Sequence, residues 1–216
     1  MLAVALALVA ACGSGEGAGA GLGADSTCTA EDLGAEYHLL TAGEVSVRNL
    51  AGLSDDARAR QQQLQEAGLR GGRFSYWEEQ VGRPPFAPPM QVLCQALEFE
   101  SAEAAGRFLR ELTDDPDELA MTAMKWLPRE RRAAEEVTAD AGKSLPAGAR
   151  SFRITASGAG VDVEIYAVIT PNGAYTQGVY VSGAGGLEEA LAVTERFRSR
   201  TQMLAAPREE PGPLLR

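Results

Sequence analysis

Residue types able to move protons, attack carbons or hold metals bound the chemistry open to this chain. The single histidine, His38, excludes multi-histidine metal sites and leaves any Ser-His or Cys-His nucleophile dependent on one residue. It stands beside Tyr37, Leu39 and Leu40 in a segment that reads as a strand, which predicts a structural or surface role. No G-x-S-x-G, S-x-x-K, H-E-x-x-H or P-loop pattern occurs. Carboxylates do cluster, at Glu78-Glu79, at Asp114-Asp115-Asp117-Glu118 and at Glu135-Glu136. A glycosidase needs two carboxyls held ~5–9.5 Å apart across a cleft, which sequence neighbours do not supply. The Asp114–Glu118 group reads as the acidic first turn of a helix, and it lacks the spaced ligands of an EF-hand. No catalytic residue, metal site or cofactor is therefore assigned.

Aromatic residues are the better candidates for recognition. Tyr76, Trp77 and Phe86 flank or lie within Gly82–Pro89, a segment with four prolines. Four missing backbone donors make it a loop. Aromatic side chains on a stiffened loop offer contact area at low entropic cost, and such loops concentrate binding residues. Trp77, Phe86, Tyr76 and Tyr175 are the candidate ligand-binding residues. The alternative is that Tyr76 and Trp77 pack in the core and Phe86 plugs the sheet edge.

The chain has 216 residues, a formal net charge of −10 and 45% hydrophobic content. That hydrophobic share suits one ordinary core. The negative charge repels phosphate backbones, so nucleic acid is not an expected partner. The short cluster Arg129, Arg131, Arg132 is interrupted by Glu130 and reads as solvated surface.

The amino terminus is distinctive. Leu2–Val9 is an unbroken apolar run, followed by Ala10, Ala11 and Cys12. The run is too short for a bilayer, which takes ~20 residues, but suits a signal-peptide core. No Lys or Arg precedes it. Val9-Ala10-Ala11-Cys12 resembles the lipobox of bacterial lipoproteins. The resemblance spans the first dozen residues and implies diacylglyceryl transfer to the Cys12 sulfur, cleavage before Cys12, and acylation of the new amino group. Two or three acyl chains anchor durably where one binds only marginally. The implied location is the extracytoplasmic face of the cell membrane or outer membrane. Gly13–Ala24 is nearly all Gly and Ala, too poor in apolar surface to fold, and reads as a flexible tether.

Given lipid on Cys12, two of the three cysteines remain. An even remainder in an oxidising compartment suggests a Cys28–Cys94 disulfide. It would close a loop of roughly 65 residues and stabilise by ~4 kcal/mol. The alternative is a buried free Cys94 and an exposed Cys28.

The elements that would position these residues follow from periodicity. Tyr37–Leu40 and Glu44–Leu50 read as extended, and Ser54–Ala67 as a surface helix capped by Ser54. Arg73–Gln80 and Met90–Glu100 read as strands, the second apolar on both faces and hence central. Ser101 caps a helix with Ala104, Ala105, Phe108, Leu109 and Leu112 on one side. A second helix follows Asp115-Pro116, with Leu119, Ala123, Trp126 and Leu127 inward, and Arg129–Gly148 is ambiguous. Strands over Ser151–Ala156, Val161–Ile169 and Tyr175–Ser182 come next, with Asn172-Gly173 as the tight turn of a hairpin. Gly183–Gly186 leads into a last helix with Leu187, Leu191, Thr194, Phe197, Thr201 and Leu204 at helical spacing, and Arg196, Arg198 and Arg200 lie toward its carboxyl end, where the helix dipole favours cations. The order predicts an α+β domain, a mostly antiparallel sheet packed with helices in an α/β sandwich. The expected organisation is a signal peptide over 1–11, a lipidated cysteine and linker over 12–27, one domain over 28–204 and a tail over 205–216.

The functional expectation is a membrane-anchored, non-enzymatic binding or interaction module of the cell envelope, meeting an envelope protein or a small ligand. The alternatives are a structural or assembly lipoprotein without small ligand, and a carboxylate-dependent envelope hydrolase.

Overall fold

The computed structural model describes residues 22–52, 54, 56–80, 89–116, 132–136, 145–158, 161–183 and 185–205. The first piece is a short 3-10 turn (Ala24–Ser26) and helix α1 (Ala30–Leu33). Thr29 caps α1 in a capping box with Asp32. Strand β1 (Tyr37–Val45), helices α2 (Val47–Ala51) and α3 (Ala57–Glu66), and strands β2 (Leu69–Glu79) and β3 (Gln91–Phe99) follow. Helix α4 (Ala102–Asp114) comes next, and then strands β4 (Arg132–Glu136), β5 (Arg150–Gly158), β6 (Val161–Asn172) and β7 (Tyr175–Ser182). Helix α5 (Gly186–Ala205) is last.

The strands form one seven-stranded sheet in the order β1-β2-β3-β7-β6-β5-β4, antiparallel at every pairing. Two meanders, β1-β2-β3 and β4-β5-β6-β7, lie side by side and join where β3 pairs with β7, Cys94 opposite Val179. The α+β sandwich read from the sequence is the fold observed. Helices cover both faces. Beneath α2, α3 and α4 lies a core that includes Phe74, Tyr76, Leu93, Leu97, Phe99, Phe152, Ile154 and Ile165. Beneath α1 and α5 lies a second core with Trp77, Val92, Cys94, Val168, Val179, Val181 and Phe197.

Strand β3 feeds both cores because its side chains alternate between two covered faces. Val92 and Cys94 are fully buried on one side, and Leu93, Leu97 and Phe99 on the other. Helix α4 buries the five residues expected of it, and its cap forms as read, Ala104 N–H donating to Ser101 Oγ at 3.1 Å. Phe108 of α4 meets Phe99 of β3 with ring centroids 5.1 Å apart. Two glycines are needed for conformation or space. Gly173 takes φ +60° in the β6–β7 turn, a position that favours glycine. At Gly72, a Cβ would lie 2.3 Å from the Ala96 carbonyl oxygen.

Several boundaries differ from the sequence reading. The two segments Tyr37–Leu40 and Glu44–Leu50 are instead one strand with a bulge between Leu39 and Thr41, followed by a helix. Asn49 N–H donates to Ser46 Oγ and turns the chain into α2, so Val47 is helical despite alternating with polar neighbours. Asp56 rather than Ser54 caps α3, accepting from Ala59 N–H at 3.0 Å. A strand, β4, lies in the segment left ambiguous. The helix expected after Pro116 and residues 82–88 of the proline segment lie outside the described residues.

The sheet has two distinct ends. At the hairpin end lie the Asn172–Gly173 turn, the start of β2 and the end of β3, where Phe99 N–H donates to the Ala174 carbonyl. At the opposite end lie Tyr37 paired with Glu79, Gln91 paired with Ser182, and the start of α5.

Candidate functional site

The aromatic residues singled out in the sequence do not share a surface. Tyr76 and Trp77 are strand neighbours, so they point to opposite faces. Tyr76 enters the core under α2, α3 and α4, and Trp77 the core under α1 and α5. Each is less than a tenth exposed. Trp77 pairs with Val92 at the end opposite the hairpin, while Tyr175 pairs with Glu98 near the hairpin. Six residues of β3 separate those rungs, roughly 20 Å. Phe86 lies outside the described residues. The packed alternative for Tyr76 and Trp77 is the arrangement observed.

The acidic pairs are likewise dispersed. Glu78 accepts from Gln91 Nε2 at 2.9 Å, and Glu79 accepts from the Met90 N–H. Adjacent in β2, these two carboxylates face opposite sides of the sheet. Asp114 ends α4, and Asp115 is its carboxyl-terminal cap. Glu135 pairs with Arg153. His38 pairs with Glu78 across the β1–β2 ladder, and its Nδ1 has no hydrogen-bond partner among the described residues. No group of three metal-capable side chains occurs among the described residues.

Two features among the described residues could engage another molecule. The first is a cleft of about 240 Å³ between α3 and α4. Leu64, Ala67, Phe108 and Leu112 floor it, and Arg60, Gln63, Glu111 and Asp115 rim it. The second is an apolar step on edge strand β1, where Leu39 is 48% and Leu40 43% exposed. Among the described residues these are the exposed large hydrophobic side chains. The bulge explains them. An extra residue at Leu40 breaks the alternation, so two consecutive leucines reach solvent instead of one turning into a core. Leu39 lies beside Trp77 in the ladder, at the end opposite the hairpin. Sequence reading passed over this pair; two adjacent leucines in an alternating strand were the available signal.

The segment leading into the domain is fastened at several points. Cys28 and Cys94 form a disulfide with Cα atoms 5.6 Å apart, within the usual range. Both cysteines are buried in the α1/α5 core. Ser75 Oγ donates to the Cys28 carbonyl at 3.2 Å. Arg200 of α5 pairs with Asp32, whose side chain is 3% exposed. The same guanidinium donates to the carbonyls of Asp25 and Thr27 at 2.9 and 2.6 Å. Arg196 Nε donates to the Asp32 carbonyl. Asp32 is further held by the Thr29 N–H at 2.8 Å. Each buried polar atom of this clamp therefore has a charged or backbone partner, as burial demands. The arginines near the end of α5, read as a response to the helix dipole, in part serve this clamp.

Among the described residues, the perturbed tyrosines lie outside both features. Burial raises the Tyr166 hydroxyl, with its hydrogen bond to Glu164 adding to the effect. Burial alone pushes the Tyr180 hydroxyl far above its ordinary range. Neither pattern points to acid–base chemistry.

No helix among the described residues is long and apolar enough to cross a membrane. No protein family matches the chain, and no curated protein matches it in sequence. Among solved structures, the chain is similar to the extracellular domain of PknH from Mycobacterium tuberculosis. That match covers 78% of this chain and 86% of the other, with 12% identity and a TM-score of 0.47. A likeness of that degree is too distant to carry location, ligand or activity across.

Proposed function

We propose that this chain is an exported lipoprotein, acylated on Cys12, whose domain acts as a non-enzymatic binding or interaction module on the extracytoplasmic face of the membrane. The observation that carries the reading is the buried Cys28–Cys94 disulfide. Structural disulfides belong to oxidising compartments, and this one uses two of the three cysteines. Cys12 is left in the lipobox-like setting, where a thioether to lipid uses the remaining sulfur. The net charge of −10 disfavours nucleic acid as a partner.

The contact surface proposed is the Leu39–Leu40 step. The partner we propose for it is a protein of the envelope. The α3–α4 cleft, at about 240 Å³, falls below the ~300 Å³ at which ligand pockets usually begin. The bulge interrupts the edge ladder and blunts open-ended strand addition, so recognition rests on the side chains. Cross-linking in the intact envelope tests this. A Leu39→Ser/Leu40→Ser protein that folds normally should lose a stoichiometric cross-linked partner seen with the natural chain. Unchanged cross-linking by that variant would refute the assignment of the step.

A further inference from the structure

Helices α3 and α4 meet at one end and part around the cleft between them. The Glu100 N–H, just ahead of α4, donates to the Gly68 carbonyl, just past α3, at 2.8 Å. From that junction α3 runs back to its start at Ala57 and α4 runs forward to its end at Asp114. Leu64 and Ala67 from α3, with Phe108 and Leu112 from α4, give the cleft an apolar floor. Its charges stand on opposite walls. Arg60 and Gln63 belong to α3, and Glu111 and Asp115 to α4. Arg60 Nη1 donates to Gln63 Oε1 at 3.4 Å, which keeps the guanidinium on the α3 wall.

The helix dipoles deepen this asymmetry. Arg60 lies one turn inside the amino-terminal end of α3, which Asp56 caps. Partial positive charge there favours an anion. Glu111 lies in the last turn of α4 and Asp115 caps its carboxyl-terminal end, where partial negative charge favours a cation. The cleft is thus positive on one wall, negative on the other and apolar beneath.

We infer that the α3–α4 cleft binds a free α-amino acid with an apolar side chain. The ligand's carboxylate accepts from Arg60 and Gln63, its ammonium donates to Glu111 and Asp115, and its side chain lies on the floor. A guanidinium carries five N–H donors in a fork that matches a carboxylate. A residue inside a peptide chain carries neither of the two charges, and a chain terminus carries only one. Volume narrows the choice further. At about 240 Å³ the cleft lies under the range for drug-sized ligands. It equals about eight waters at ~30 Å³ each, which suits a molecule of roughly ten non-hydrogen atoms. Leucine and methionine are of that size. The inference depends on neither the lipid anchor nor the Leu39–Leu40 step.

Isothermal titration of the full purified chain tests it, with L-leucine, N-acetyl-L-leucine, L-leucinamide and glycine as probes. Leucine should bind saturably. N-acetyl-leucine lacks the ammonium and leucinamide lacks the carboxylate. Each should bind about tenfold or more weakly, the effect of losing one charge-assisted hydrogen bond. Glycine, without an apolar side chain, should give no detectable binding. Arg60→Gln should weaken leucine about tenfold and leave leucinamide unchanged. Glu111→Gln/Asp115→Asn should weaken leucine and leave N-acetyl-leucine unchanged. The four probes act on the natural chain, so the outcome does not hang on how the variants fold. Absence of saturable binding by leucine and methionine up to ~10 mM overturns the inference. Equal affinities for the four probes, or folded variants that bind leucine as the natural chain does, overturn it as well.

Discussion

Removing the disulfide by Cys28→Ala/Cys94→Ala is the perturbation whose size follows most directly from the structure. The two cysteines are 66 residues apart in sequence. In the chain-entropy account, opening a loop of that length costs about 4 kcal/mol at 25 °C. Cys94 is fully buried in the α1/α5 core, so its truncation adds roughly 1 kcal/mol for lost packing. The Asp32–Arg200 clamp still fastens the same segment in the folded state, so the loss falls mainly on the unfolded ensemble. The expected drop in unfolding free energy is about 4–5 kcal/mol. For a domain of this size that lowers Tm by roughly 8–20 °C. Urea denaturation of the oxidised protein and the double variant, monitored by circular dichroism, gives the number. The slope of free energy against urea should rise in the variant, because the unfolded chain loses its cross-link and exposes more surface. A loss below about 1 kcal/mol, with unchanged slope, would refute the view that this bond constrains the unfolded chain.

Other perturbations follow from single contacts. Arg200→Ala should cost about 3 kcal/mol, because it strands a buried carboxylate and two backbone carbonyls. A double-mutant cycle with Asp32→Asn should show coupling well above 0.5 kcal/mol. Gly72→Ala should destabilise by roughly 1–3 kcal/mol, since the new methyl group meets the Ala96 carbonyl across the β2–β3 ladder; thermal melts decide. Tyr180 ionises far above its ordinary value when folded. The stability it contributes is complete below the unfolded value near 10 and is lost as pH rises above it. Alkaline spectrophotometric titration should show a tyrosine component resisting ionisation until unfolding, and Tyr180→Phe should diminish it.

What the sequence disclosed depended on how local the cause was. Helix α4 was legible in its cap and in its buried side because both follow from spacing within fourteen residues. The Asn172–Gly173 hairpin was legible because a tight turn needs those residue types. Strand β3 announced its central place by being apolar on both faces. The α2 turn was misread because Val45 and Val47 alternate like a strand, while a serine at position 46 supplied a helix cap. Strand β4 is short and rich in alanine and glutamate, so no periodicity marks it as an edge. The Asp32–Arg200 clamp spans 168 residues, beyond any local pattern. At the candidate site, the aromatic signal drew attention to Tyr76 and Trp77, whose size serves the two cores. The exposed leucines depend on a bulge, and a bulge arises from the pairing of two strands rather than from either one alone.

The central claim is that the third cysteine holds lipid while the other two hold each other. Intact mass spectrometry of the protein extracted from the membranes of its own host, without reductant, measures both at once. The expected result is a chain beginning at Cys12 with the added mass of a diacylglyceryl group and two hydrogens fewer than the dithiol form. A soluble chain retaining Met1, with three free thiols, would contradict it.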